Sequence, residues 1–257
     1  MTAPLQLGSM IDLTGQVAVV TGASSGLGER FVRVLHAAGA SVIAVARRKD
    51  LLENLAAEHE RVLPLAADLS QPDQLPQIVE TALSAFGRLD ILVNNAGLGV
   101  SAPALDEDLD SFRYVLDVNL VGLFHLSRLA ARPMLAAGRG SIINISSIYG
   151  LVSSWPLPNA GYTASKAAVV QLTRELGCQW AAGGVRVNAL APGFFPSEAT
   201  TAAIADPGFQ RYVERGCPMK RAGEPHELDG ALLFLAGPGS TYLTGQVLTI
   251  DGGWTAH

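Results

Sequence analysis

The chain has 257 residues, 49% of them hydrophobic and 16% charged, with a formal net charge of −5. That is enough apolar material for one large domain with its own core, and nothing forces a split into two. The acidic balance and the lack of any long basic run argue against a nucleic-acid or anionic-membrane surface and leave small molecules as the expected partners. Residues 1–15 show no basic segment followed by an apolar core, and no apolar run reaches membrane-spanning length, so a cytoplasmic protein is expected. Cys178 and Cys217 are too few for a disulfide framework and lack C-x-x-C spacing, which makes reduced thiols the default.

Residues 16–20 form a short apolar, β-branched run that ends in Thr21-Gly22-Ala23-Ser24-Ser25-Gly26-Leu27-Gly28 and passes into an amphipathic stretch over 29–38. The pattern predicts strand, glycine turn, helix. Glycines at 22, 26 and 28 allow a tight turn and close approach of a ligand, while the helix amino terminus behind them offers N–H groups and positive dipole to a pyrophosphate. A glycine-rich turn taken alone is more often only a turn. Its place between a buried strand and a helix favours a nucleotide, with Gly22, Ser24, Ser25, Gly26, Leu27 and Gly28 as the contacting residues.

A second strand is predicted over 41–46. Dinucleotide sites that select NAD usually place Asp or Glu near the end of this strand; here Ala46 is followed by Arg47, Arg48 and Lys49. A guanidinium binds a 2′-phosphate that a carboxylate would repel, a contact worth up to ~4 kcal/mol at ~4 Å and an effective dielectric near ~20. Arg47 and Arg48 therefore favour NADP(H), with NAD(H) as the alternative. A solvated basic helix start is the other reading, and one of the two arginines fits it.

Residues 61–67 read as a third strand ending at Asp68-Leu69, where the carboxylate either accepts a hydrogen bond from an adenine amino group or caps the next helix. Residues 72–86 read as helix and 89–93 as the fourth strand, which ends in Asn94-Asn95-Ala96-Gly97. The small residues there let Asn95, Ala96 and Gly97 pack over a cofactor, although a tight turn alone explains the glycine. Residues 108–137 form a long amphipathic segment that Pro133 is expected to kink or end. Within it Asn119 sits among Val115, Leu116, Val118, Leu120 and Val121, and an amide in such surroundings needs partners. It marks a helix kink, a holder of a catalytic water, or both. His125 shares no ligand spacing with a second histidine or an acid and reads as a packing residue, and no metal is expected.

The fifth strand, 141–145, delivers Ser146-Ser147 at its carboxyl end, where open α/β sheets bind their ligands. A loop over 148–160 containing Trp155, Pro156 and Pro158 leads to Tyr162-Thr163-Ala164-Ser165-Lys166 at the start of a helix. Four residues make about one helical turn, so phenol and ammonium share a face. A free tyrosine titrates near ~10 and is a poor proton exchanger at neutral pH. A neighbouring cation favours phenolate and lowers that value, which makes Tyr162 a candidate general acid or base. A bare Y-x-x-x-K taken alone is far more often an ordinary helical tyrosine with a surface lysine.

The sixth strand, 185–190, leads into Ala191-Pro192-Gly193-Phe194-Phe195-Pro196-Ser197. The mixed segment 194–223 has no strand signal and is expected to be a lid. Trp155, Leu157, Phe194, Phe195 and the residues up to Met219 would line an apolar pocket, and hydrophobic packing explains them equally well. A helix over 224–235 and a strand over 246–250 precede Asp251-Gly252-Gly253. Strands and helices alternate throughout, which argues for an α/β fold with one parallel sheet covered on both faces.

Taken together and in this order, Thr21-Gly22-x-x-x-Gly26-x-Gly28, Asp68, Asn94-Asn95-Ala96-Gly97, Asn119, Ser147, Tyr162-x-x-x-Lys166, Pro192-Gly193, Thr244-Gly245-Gln246 and Asp251-Gly252-Gly253 resemble the short-chain dehydrogenase/reductase family in its compact subclass. The resemblance implies a single Rossmann-type domain over 1–257, a doubly wound parallel sheet of seven strands ordered 3-2-1-4-5-6-7, a nicotinamide cofactor and usually a homotetramer, with a homodimer as the smaller assembly. It implies that Ser147 hydrogen-bonds the substrate oxygen, Tyr162 exchanges its proton, Lys166 lowers the tyrosine pKa and binds the nicotinamide ribose, and Asn119 anchors a water linking Lys166 to solvent. Ser197 falls where the family commonly has a threonine that contacts the carboxamide, and Leu69, Pro192, Gly193 and Phe195 join the cofactor contacts. Ser147 is preferred to Ser146 because Ser147-Ile148-Tyr149-Gly150 matches the family's Ser-x-x-Gly. The implied reaction is reversible reduction of a ketone or aldehyde to an alcohol, with Trp155 and Phe194 beside Ser147 and Tyr162 at the substrate. An apolar carbonyl or a 3-oxoacyl thioester is the leading substrate class, a sugar or polyol the alternative. A nucleotide-sensing scaffold without catalysis is the alternative of a different kind.

Overall fold

A computed structural model describes residues 7–198 and 200–257. Part of the amino-terminal stretch read for a leader, and one position of the 194–223 segment, lie outside these residues.

The apolar runs become strands whose two faces are both covered. Every residue of β1 (Val17–Thr21) is buried, as are all but the first of β2 (Ser41–Ala46), the near-continuous burial expected of a parallel sheet wrapped by helices. With β3 (Val62–Ala66), β4 (Ile91–Asn94), β5 (Gly140–Ile145), β6 (Val185–Pro192) and β7 (Val247–Ile250) they form one sheet. It has seven strands in the order β3-β2-β1-β4-β5-β6-β7, all pairings parallel. This is the expected doubly wound topology. Its reversal falls between β1 and β4, and a crevice opens there at the carboxyl ends of both strands.

The helices are α1 (Gly26–Ala37), α2 (Lys49–Ala57), α3 (Pro76–Phe86), α4 (Leu109–Leu116), α5 (Leu123–Ala136), α6 (Ala160–Trp180), α7 (Thr201–Ala205), α8 (Pro207–Gly216) and α9 (Asp229–Ala236). Alternate strand residues feed two core layers. Ala18 and Val20 meet Phe31, Leu35, Leu232 and Leu235 from α1 and α9. Val17 and Val19 face Ile78, Leu126, Met134 and Leu176 from α3, α5 and α6.

Several expected boundaries shift. The single long segment over 108–137 is interrupted by a wide π-turn at Asp117–Gly122 between α4 and α5. Pro133 does not end α5, which runs on to Ala136; the turn beyond it closes through Ala137 N donating to the Pro133 carbonyl at 3.0 Å. The helix over 72–86 divides into a short turn at Pro72–Gln74 and α3, and that over 224–235 into a turn at Pro225–Leu228 and α9. Segment 194–223 carries α7 and α8, and Asp206 starts α8 by accepting a hydrogen bond from Phe209 N at 2.9 Å. His125 is only half-buried, with Nδ1 3.0 Å from Arg128 Nη2. Cys178 and Cys217 are both free. Among the described residues no helix is long and apolar enough to cross a membrane.

Candidate active site

The end of β1 and the end of β4 are locked side by side. Thr21 Oγ1 accepts from the backbone N–H groups of Asn95 and Ala96, each at 3.0 Å, and Asn95 Nδ2 donates to the Thr21 carbonyl at 2.9 Å. Gly22 takes φ 67°, in the left-handed region. A β-carbon on Gly28 would lie 2.1 Å from the Gly22 carbonyl oxygen, so only glycine lets α1 start this close to the strand. Ser25 stands at the cap position of α1 but makes no side-chain cap, so the first N–H groups of a twelve-residue helix stay available. Free N–H groups, positive dipole and no intruding side chains fit a dinucleotide pyrophosphate.

Beyond β2, the two arginines part company. Arg48 donates to Ser24 Oγ and Ser25 Oγ, the latter at 2.8 Å, and forms a two-pronged ion pair with Glu198 at 2.8 and 2.7 Å. The Arg48 guanidinium, helped by the Ser25 hydroxyl, holds the Glu198 carboxyl down at about 2. Arg47 instead reaches across to Tyr114, 3.1 Å from its hydroxyl. Lys49 turns away to pair with Glu53. Asp68 Oδ1 accepts from Ser70 N at 2.9 Å and from Ser70 Oγ at 2.8 Å, which closes a local turn and caps no helix.

At the opposite end of the crevice lie the carboxyl end of β5 and the first turns of α6. The two serines are distinguished by their surroundings. Ser146 Oγ donates to the Lys166 carbonyl at 2.9 Å, whereas Ser147 Oγ accepts from Tyr149 N at 3.1 Å and lines the cavity with Tyr162, whose phenol its hydroxyl favours in the charged form. Lys166 is 3% exposed; its Nζ donates to the Ile145 carbonyl at 2.8 Å and sits 5.6 Å from the centre of the Tyr162 ring. Burial lowers its ammonium to about 8. The same burial raises the Tyr162 phenol above its ordinary value, and the Ser147 hydrogen bond opposes that rise only in part. Tyr162 is half-buried at the cavity wall. The direction is opposite to the lowering expected from a neighbouring ammonium, because desolvation of the phenolate is the largest cause.

Asn119 lies in the π-turn and is fully buried. Its Oδ1 accepts from Leu98 N at 2.9 Å, and its Nδ2 donates to the Leu98 carbonyl at 2.8 Å and to Ser165 Oγ at 3.0 Å. The amide that spoils the apolar stretch thus breaks the helix and ties the β4 loop to α6. A β-carbon on Gly97 would stand 3.1 Å from Lys166 Nζ and 3.3 Å from Asn119 Oδ1, which places those two groups around one point.

One cavity of about 930 Å³ joins these parts, within the roughly 300–1,000 Å³ range of cofactor and ligand clefts. It is lined by the whole glycine turn, Arg47, Arg48, Asp68, Leu69, Asn95, Ala96, Gly97, Ser147, Tyr162, Lys166, Pro192, Gly193, Phe194, Phe195 and Ser197. Asn119 stands behind the wall. Trp155 is the exception among the expected substrate contacts: it is 82% exposed and borders a separate surface hollow of about 400 Å³ with Arg211, Arg215 and Trp254. The loop over 148–160 carries it outward, leaving Ile148, Tyr149, Leu157 and Asn159 as that loop's contribution to the main cavity. Tyr149 and Asn159 also line the cavity and were not among the sequence candidates, and Glu198 and Phe209 line it as part of the segment up to Met219 without having been singled out. Tyr149 lies inside the Ser-x-x-Gly stretch and Asn159 three residues before Tyr162, so both had a local signal.

A family model described as Enoyl-(Acyl carrier protein) reductase matches residues 22–255. Galactitol 2-dehydrogenase (L-tagatose-forming) of Cereibacter sphaeroides is 40% identical over 95% of this chain and 96% of its own length. Among solved structures, a short-chain type dehydrogenase/reductase from Mycobacterium marinum superposes with a TM-score of 0.92 at 35% identity, covering 97% of this chain and 99% of that one. A gluconate 5-dehydrogenase from Burkholderia cenocepacia J2315, solved in complex with NADP and tartrate, superposes with a TM-score of 0.93 at 33% identity, covering 98% and 100%. Near-complete coverage at more than 30% identity and the 3-2-1-4-5-6-7 sheet lead to one conclusion: this chain belongs to the short-chain dehydrogenase/reductase family, as an oxidoreductase of CH–OH groups.

Proposed function

We propose that this protein interconverts a ketone or aldehyde and its alcohol, with Tyr162 as the general acid and base, Ser147 as the partner of the substrate oxygen and Lys166 as the cation beside them. The carrying observation is that Ser147 and Tyr162 line one cavity with the glycine turn while Lys166 Nζ stands 5.6 Å from the Tyr162 ring. When bound, the nicotinamide supplies or takes up hydride. In the reductive direction Tyr162, raised by burial and so protonated at neutral pH, gives its proton to the substrate oxygen as that atom gains charge. Ser147 donates to the same oxygen and stabilises it. Lys166 is mostly charged below pH 8 and offsets negative charge left on the phenol. Asn119, beside Lys166, is the residue that would hold a water on the route to solvent. Arg47, Arg48 and Asp68, which line the same cavity, would hold the adenosine half of the cofactor, and Ser197 would hold the carboxamide.

The wall near Tyr162 supports an uncharged, largely apolar carbonyl, a 3-oxoacyl thioester among them. Phe194 meets Tyr149, Phe209 and Trp254 edge-on at 6.1, 5.2 and 4.9 Å between ring centres. Segment 194–223, which carries Phe194 and Phe209, acts as the lid. A sugar or polyol substrate is the second reading. It is favoured by Asn159 Oδ1 and the Tyr149 hydroxyl, both buried with no hydrogen-bond partner among the described residues. Unpaired buried polar atoms cost about 1–3 kcal/mol each, and substrate hydroxyls would relieve that. The galactitol and gluconate dehydrogenases named above point the same way.

Following NADPH absorbance over a cyclic apolar ketone, a 3-oxoacyl thioester and a ketose separates the two. The first reading requires kcat/KM for an apolar carbonyl to exceed that for the ketose by about tenfold or more; the reverse ranking selects the second. A cytoplasmic homotetramer or homodimer completes the proposal. The exposed apolar side chains Val121 and Phe124, at the junction of the π-turn and α5, supply a surface for such contacts.

A further inference from the structure

The Arg48–Glu198 pair has no part in the chemistry, yet it spans the mouth of the cofactor crevice. Arg48 follows β2 and Glu198 follows β6, and both line the cavity with Ser24 and Ser25. Ser197, next to Glu198, lies over the glycine turn: a β-carbon on Gly26 would be 3.2 Å from its Cβ. The carboxylate uses both arms of the Arg48 fork, at 2.8 and 2.7 Å, while the same guanidinium also donates to Ser24 Oγ and Ser25 Oγ. Guanidinium plus two hydroxyls is a donor set that suits a phosphate monoester, and here it receives a side-chain anion of this same chain.

We propose that Glu198 sets the margin by which this chain prefers NADP(H) over NAD(H), competing with the 2′-phosphate for Arg48, Ser24 and Ser25. The inference rests on the NADP(H) assignment and on Arg48 as the phosphate-facing residue. NAD(H) lacks the phosphate and has no quarrel with Glu198. Both side chains are substantially exposed, 43% for Arg48 and 61% for Glu198, so the competition is mild. Exposed pairs of this kind are worth up to about fivefold in an equilibrium constant.

The test is direct binding. Fluorescence titration with NADPH and with NADH is performed on the wild type, Glu198→Gln, Arg48→Ala and the double variant, each checked for a cooperative thermal transition. Glu198→Gln is expected to tighten NADPH by about three- to fivefold and to move NADH by less than about twofold. Arg48→Ala is expected to weaken NADPH selectively, and in its background the gain from Glu198→Gln disappears. An unchanged NADPH affinity in Glu198→Gln, an equal shift for both cofactors, or a gain that persists without Arg48 would each overturn the role of Glu198. A wild type that binds NADPH no better than NADH would instead overturn the cofactor assignment beneath it, and an Arg48→Ala variant that keeps its preference would overturn Arg48 as the phosphate residue.

Discussion

Replacing Lys166 by Met probes the buried cation at the centre of the site. Lys166 is 3% exposed and its ammonium is lowered from 10.5 to about 8 by burial. Below pH 8 folded and unfolded chains both hold the proton, and the folded state bears the full penalty of a buried charge. Between pH 8 and 10.5 the unfolded chain still holds a proton that folded Lys166 has released, so raising the pH through that window favours folding. A lowering from 10.5 to about 8, at about 1.4 kcal/mol per pH unit, corresponds to about 3 kcal/mol. Met retains much of the lysine stem but cannot titrate. Urea unfolding of both proteins at pH 7, 9 and 10.5 isolates this group, because the other titrations are common to the pair. The stability of the wild type relative to Lys166→Met should rise by about 3 kcal/mol from pH 7 to 10.5. A flat difference would mean that Lys166 is hydrated or paired, and the burial argument would fail.

Two further outcomes follow from the geometry. Gly28→Ala forces a β-carbon to 2.1 Å from the Gly22 carbonyl oxygen, so it should destabilise by about 1–3 kcal/mol or more and abolish NADPH binding, read by thermal unfolding and by titration. Ser147→Ala should lower kcat by about 10²- to 10³-fold through loss of one donor to the reacting oxygen. Ser146→Ala, which frees only the Lys166 carbonyl, should lower kcat by less than about tenfold while costing about 1–3 kcal/mol of stability; equal losses in turnover would contradict the distinction between the two serines.

The architecture was legible because a parallel sheet announces itself locally: apolar runs with both faces buried, such as residues 16–20 and 41–46, alternate with amphipathic stretches, and the order of strands came with the motifs. The glycine turn and Asn95-Ala96-Gly97 were legible for the same reason, since backbone closeness demands small residues. The 3.6-residue period brought Tyr162 and Lys166 together, but spacing carries no information on burial, and burial decides that the Tyr162 phenol rises. Trp155 misled because an aromatic residue between prolines looks the same whether its loop turns inward or outward. The helices α7 and α8 were hidden although Asp206-Pro207 is a helix-start pattern and Phe209, Tyr212 and Val213 recur at helical spacing; α8 is only ten residues long and its polar composition masks that stripe. Glu198 was beyond reach, because its partner Arg48 is 150 residues away and no periodicity links them.

The central claim is that Tyr162 transfers the proton in a site otherwise complete without its hydroxyl. Tyr162→Phe keeps the ring that packs beside Lys166, so NADPH titration should return an affinity within about threefold of the wild type while NADPH-dependent carbonyl reduction falls by at least about 10²-fold. A Tyr162→Phe enzyme that retained most of its turnover would contradict the account.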